Sequence, residues 1–303
     1  MKLATTTADF GRYTIDHLQR VKYVEEAGFK YIDLSMYTPR ENDGLFFTDD
    51  WKKTAEALKS YAEEKGLHYV QAHGPNSNPL KSQEDFDYAV EITTRAIEIC
   101  SYLGIPNMVI HPGWDKDATK EEWFVKNKHF FEKLFPVMEK CNVNVLHENT
   151  TNANMPWYFS KTGKEMREFS DFVNHPMVHS CWDTGHANIE GQQYDEILAI
   201  GDDLYAIHFN DNRGKQDEHI IPYLGTMNCD EIINALLDIG FKGPLTFEAE
   251  SPLRPSKYWL GKRKIFEKDV RLAEPPLCLQ QEIERFMYSV GKYILSAYDL
   301  FEE

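Results

Sequence analysis

The sequence predicts an α/β protein folded as a single (β/α)8 barrel, a TIM barrel formed by residues 1–303 as one domain. Three observations predict it. Short strand-like runs alternate with longer stretches of helical periodicity, the alternation occurs eight times, and no linker divides the 303 residues. Alternation of this kind implies parallel strands joined by right-handed crossovers. Eight units in one domain favour a closed barrel over an open sheet.

The elements follow in order. Residues 3–7 form the first strand, and a helix over about 14–27 is stopped by Gly28. Residues 31–35 are the second strand, followed by a helix over 49–64 that ends before Gly66. The third strand, 68–74, is broken by Gly74-Pro75, and a long amphipathic helix over 82–103 is closed by Gly104. The fourth strand, 108–111, is stopped by Pro112-Gly113. Thr119 with Glu122 three residues on has the spacing of a capping box, for a helix running to about Lys140. Strand five at 143–148 precedes a helix at 163–173, and strand six at 178–183 precedes a short helix near 194–200. Strand seven at 205–209 leads to a helix at 229–239 ended by Gly240, and strand eight covers 245–248. The irregular segment 251–276 is long enough for a lid or an oligomer contact, and a final helix covers 279–299.

Composition narrows the function. The net charge of -16 disfavours nucleic acid, whose binding draws on Lys and Arg neutralising phosphates. The one dense basic run, 257–264, is either a polyanion contact or a solvated loop. No apolar run approaches the roughly 20 residues of a membrane span, and the N-terminus has no secretory apolar region. Five cysteines, scattered singly, argue against a disulfide framework or a thiolate zinc site and suit a reducing cytoplasm.

The chemistry lies in what ends each strand. Strands three and four end at His73 and His111, and strand five at Glu148. Strand six ends at Asp183, with His186 three residues later. Strand seven ends at His208, with Asp217 and His219 in its loop, and strand eight ends at Glu248. Catalytic groups converge on this rim of a barrel. One such residue means little, because a lone strand histidine is more often a satisfied core group and a strand-end Asp often caps a helix. Six consecutive strand ends are another matter, since gathered carboxylates are costly without a compensating cation. Mixed oxygen and imidazole donors suit Mn, Zn, Co, Fe or Mg and do not choose among them. His17, His129 and His175 fall on helices or at their ends and read as structural or exposed. His68 lies at the far end of the barrel, alternation turns His147 away from Glu148, and His179 shares no strand end with the site.

In the segments Ala72-His73-Gly74-Pro75, Ile110-His111-Pro112-Gly113, His147-Glu148-Asn149, Trp182-Asp183-Thr184-Gly185-His186, His208-Phe209-Asn210-Asp211-Asn212, Asp217-Glu218-His219 and Phe247-Glu248, the sequence resembles the xylose-isomerase-like barrel superfamily. The branch it resembles holds sugar phosphate isomerases/epimerases, ketose 3-epimerases and type IV apurinic endonucleases. The resemblance to the epimerases implies one divalent ion held at Glu148, Asp183, His208 and Glu248, with the two glutamates as the proton-transfer pair. It further implies substrate contacts at His186 and Arg213. The resemblance to the endonucleases implies a three-metal cluster that adds His73, His111, His186, Asp217 and His219 as ligands. In a single-metal site His73 and His111 are instead expected to contact substrate. Trp114, just past strand four, either stacks on a sugar face or packs its loop. Two departures stand out: the loop after Glu248 is longer than in a minimal member, and no basic and aromatic DNA-penetrating loop follows strand two or three. The expectation is a metal-dependent isomerase or epimerase of a small carbohydrate, working through a metal-stabilised enediolate. The alternatives are an inosose-like dehydratase with the same site and a phosphodiester hydrolase of the apurinic-endonuclease type.

Overall fold

Each strand of the barrel is short and almost wholly buried, as parallel strands covered by helices must be. In this computed structural model, which describes residues 1–191, 193–249, 253 and 275–303, the strands are β1 (Leu3–Thr6), β2 (Tyr31–Ser35), β3 (His68–His73), β4 (Asn107–Ile110), β5 (Asn144–Glu148), β6 (Val178–Asp183), β7 (Leu204–Phe209) and β8 (Leu245–Phe247). All pair in parallel with their sequence neighbours, and β1 pairs with β8 to close the barrel. The helices around it are α1 (His17–Glu26), α2 (Trp51–Lys65), α3 (Gln83–Leu103), α4 (Lys120–Cys141), α5 (Gly163–Val173), α6 (Thr184–Glu190), α7 (Tyr194–Ile200), α8 (Cys229–Asp238) and α9 (Leu277–Ala297). Among the described residues, no helix is long and apolar enough to cross a membrane.

The alternating period of the strands sorts the side chains into two cores. Met108, Val145, Trp182 and Ile207 belong to the large core between strands and helices. Their neighbours Val109, Leu146, Cys181 and Ala206 form a small separate cluster within the barrel. Two residues further along the same face come His111, Glu148, Asp183 and His208. The plug of small and branched side chains is therefore the floor on which the polar residues stand.

Local signals set the element ends. Thr119 and Glu122 form the expected capping box on α4, and Thr162 with Glu165 forms a second on α5. Gly66 and Gly104 close α2 and α3 at φ 65° and 74°, the left-handed conformation that costs glycine least. Some boundaries differ from expectation. β4 stops at Ile110 and β8 at Phe247, so His111 and Glu248 stand just past their strands, while β7 starts one residue early, at Leu204. Helix α6 was not expected, because it is just under two turns long and begins Thr184-Gly185. The segment predicted at 251–276 lies outside the described residues except at 253, 275 and 276, and so does the basic run 257–264.

Candidate metal centre and active site

At the C-terminal ends of β5 to β8, four side chains meet. Ligand atoms of Glu148, Asp183, His208 and Glu248 all lie within 4.8 Å of one another. His208 Nδ1 is 3.0 Å from Glu148 Oε1 and 3.2 Å from Glu248 Oε2. Glu148, Asp183 and His208 are buried, and Glu248 is partly exposed at its side chain.

Asp183 is held by the backbone around it. Its Oδ1 accepts from the His186 N–H at 2.6 Å, capping α6, and its Oδ2 accepts from Asn210 Nδ2 at 2.7 Å. Asn149 brackets the Asp183 peptide, with Oδ1 accepting from its N–H at 2.6 Å and Nδ2 donating to its carbonyl at 3.0 Å. Gly185 leaves room for this arrangement: a Cβ there would stand 1.8 Å from Asn210 Oδ1.

The remaining rim histidines complete the constellation. His73 Nε2 and His111 Nε2 lie 3.3 and 3.5 Å from Glu148 Oε2. His186 Nε2 is 3.2 Å from Asp217 Oδ2, and His219 Nε2 is 3.0 Å from Asp217 Oδ1. His219 adopts φ 45°, unusual outside glycine and typical of backbone fixed at a functional site.

The charges lean on one another. Burial alone would raise the Glu148 carboxyl, but His208 and His111 hold it well below the usual range. Glu248 is likewise brought down to about 2, with burial opposed chiefly by His208. Burial lifts Asp183 to about 6 against the pull of His186 and His219. For His186, burial is outweighed by Asp183 and Asp217, which raise it to about 10. His111 is pushed down to about 4 by burial.

The donor set fits a divalent cation. Glu148 Oε2 is buried and makes no hydrogen bond, three carboxylates and an imidazole converge, and the ligand types are hard and borderline rather than thiolate. Beside the set opens a cavity of about 210 Å³ lined by Tyr37, His73, His111, Glu148, His186 and Glu248 among others.

The nine expected rim residues are thus brought together. Two other candidates are not. Trp114 meets Trp157 at 5.8 Å between ring centroids, with its backbone held by Asn78, and is not among the residues lining the cavity. Arg213 is mostly exposed and pairs with Glu218 at 2.5 Å, also away from the cavity lining. As expected, His147 faces away from Glu148, towards Ser160 and Ser170. Sequence reasoning missed Tyr37, Asn149 and Asn210, and it missed Asp33. Burial pushes the Asp33 carboxyl up, with His208 and His73 opposing. An acidic residue inside a strand-like run was the available signal.

Comparison with known proteins places the chain in a family. The sequence model of the xylose isomerase-like TIM barrel family matches residues 21–272. The chain belongs to this family. Among relatives in it, D-psicose 3-epimerase of Enterocloster bolteae is 26% identical over 77% of this chain and 76% of its own. The probable endonuclease 4 of Bacillus licheniformis is 27% identical over 54% of this chain and 60% of its own. The fold matches that of the IOLI protein, a structure with a bound zinc atom, at a TM-score of 0.73 and 17% identity over the whole of both chains.

Proposed function

We propose that this family member is a divalent-metal-dependent isomerase or epimerase of a sugar, polyol or related hydroxy-carbonyl compound. The observation that carries the reading is the pair Glu148 and Glu248, two carboxylates from separate strands that face one cavity and share one histidine nitrogen. Glu148, Asp183, His208 and Glu248 would hold the cation, for which zinc, manganese, cobalt, iron and magnesium all suit the donors. When bound, such an ion supplies electrophilic stabilisation of the negative charge that develops on substrate oxygens.

The protein's own residues do the rest. Glu148 and Glu248 are both held in the ionised form that a proton acceptor needs. One removes the proton beside the carbonyl to give an enediolate, and the other side of the substrate is open to the second carboxyl for its return. His186, kept protonated by Asp183 and Asp217, lines the cavity and places a positive charge beside the substrate. His73 and His111 line the same cavity and position hydroxyls. The floor of Val109, Leu146, Cys181 and Ala206 closes the barrel below, which excludes water from that side. We assign the whole chain to one domain of the cytoplasm, with a small carbohydrate and not nucleic acid as its partner.

One observation favours a second reading. His73–Glu148–His208 and Asp183–His186–His219 also form ligand-sized clusters, so a multi-metal phosphodiesterase can be built on the same rim. The acidic net charge favours the first. A lyase acting on an inosose-like polyol would use the same proton abstraction and differ in expelling water.

The test is Glu248→Gln, loaded with saturating metal and presented with a ketose and inosose panel in heavy water. A positioned base contributes about a hundredfold to ten-thousandfold, and a loss in that range is expected with the fold intact. Retained solvent exchange without net conversion identifies Glu148 as the first base. Turnover and exchange equal to the parent's exclude the two-carboxylate mechanism.

A further inference from the structure

Asp33 takes no part in the chemistry above, yet it lies directly beneath it. The residue sits in β2, is about 1% exposed, and points into the barrel, where an ionised carboxylate is expensive unless something charged or hydrogen-bonded compensates it. Two groups do. Gln71 Nε2 donates to Asp33 Oδ2 at 3.0 Å, and the Gln71 amide is kept in that orientation by the Thr246 hydroxyl, which donates to its Oε1 at 3.1 Å. On the other side, His208 Nε2 lies 3.7 Å from the same Oδ2.

That contact is within ion-pair range and beyond hydrogen-bond length, but a shift of under about 1 Å closes it. His208 Nε2 is buried and has no hydrogen-bond partner. The ring's other nitrogen, Nδ1, is the one that faces Glu148 and Glu248. The competing acceptor near the ring is the thiol of Cys181. A neutral thiol is a weak acceptor, and a carboxylate is a strong one.

We propose that Asp33 is a positioning residue for the metal centre: it holds the His208 proton on Nε2 and thereby leaves Nδ1 as the lone-pair donor to a divalent cation. The proposal rests on the metal reading above. Asp33 acts through His208, Gln71 and Thr246 orient Asp33, and the row Thr246–Gln71–Asp33–His208 links β8, β3, β2 and β7 beneath the site. Partners of this kind fix the tautomer of a metal-binding histidine, and their loss typically costs about ten- to a hundredfold in affinity.

The experiment measures zinc affinity by chelator competition, and the His208 tautomer by nitrogen NMR of the zinc-loaded protein. Asp33→Asn should weaken zinc ten- to a hundredfold and change the His208 Nε2–H signal of the zinc-loaded protein. Thr246→Val, which leaves Asp33 in place and frees Gln71, should weaken zinc by a smaller factor. Parent-like affinity and tautomer in a folded Asp33→Asn protein overturn the proposal while leaving the metal centre standing. A parent chain that binds no divalent metal overturns the metal centre and the proposal with it. If Asp33→Asn does not fold, Thr246→Val decides, and unchanged affinity there overturns the proposal.

Discussion

Gly185→Ala offers a sharp test of how Asp183 is presented. The added Cβ would sit 1.8 Å from Asn210 Oδ1 and 2.8 Å from its Cγ. Real Cβ contacts are essentially never under 3.0 Å, so the carboxamide must retreat by about 1.2 Å (from 1.8 to 3.0 Å). A movement of that size carries Asn210 Nδ2 out of its 2.7 Å bond to Asp183 Oδ2. A hydrogen bond to a charged group contributes about 1.5–3 kcal/mol. Overpacking adds a destabilisation of about 1–3 kcal/mol. Asp183 keeps its other donor, the His186 N–H, so the carboxylate is loosened rather than lost. The expected outcome is zinc affinity reduced by roughly tenfold or more, together with a lower melting temperature of the metal-free protein. Calorimetric titration with zinc and thermal denaturation read the two effects separately. A Gly185→Ala protein that binds zinc as the parent does would show that the Asn210–Asp183 bond does not shape the site.

Two further outcomes are expected. Burial lowers His147 to about 4, so the folded protein binds fewer protons than the unfolded chain between that value and the ordinary histidine value near 6.5. Stability is then fully present above about pH 6.5 and is lost as pH falls towards 4, by about 3 kcal/mol in all; His147→Gln should flatten the urea-unfolding stability across that window, and an unchanged slope would remove His147 as a source of acid lability. Abasic-site DNA should not be cleaved at physiological salt, because an acidic surface repels the phosphate backbone; enzyme-like cleavage that disappears in His208→Ala would instead select the phosphodiesterase reading.

Much of the architecture was legible because barrel strands and helices carry opposite periodicities and are punctuated by Gly and Pro. The residues at the rim were legible because ligand chemistry uses few residue types, and these recur at successive strand ends. What escaped has a common physical cause. Asp33, Asn149 and Asn210 act through partners distant in sequence: Asp33 meets Gln71 and His208, and both asparagines meet Asp183. A hydrogen bond between strands leaves no periodic trace along either one. Trp114 and Arg213 illustrate the converse, since proximity to the rim in sequence did not carry their side chains into the cavity lining. Trp114 was captured by Trp157, and Arg213 by Glu218. Helix α6 went unread because a seven-residue helix shows less than two periods.

The back-to-back placement of His147 and Glu148 bears on how such a protein can change over time. One residue serves the seam against α5, where His147 meets Phe169 edge-on, and the next serves the cavity. A one-residue insertion or deletion within β5 would exchange the two faces, burying a carboxylate against phenylalanine and presenting imidazole to the cavity. Both outcomes are costly at once, so the strands tolerate substitution but not a change of length. Beyond the rim residues His111, His186, Asp217, His219 and Glu248, the segments after the strands carry no such constraint. Length variation, and with it any drift in which molecule is accepted, is therefore channelled into the loops above a layer of rim carboxylates and histidines whose spacing cannot slip.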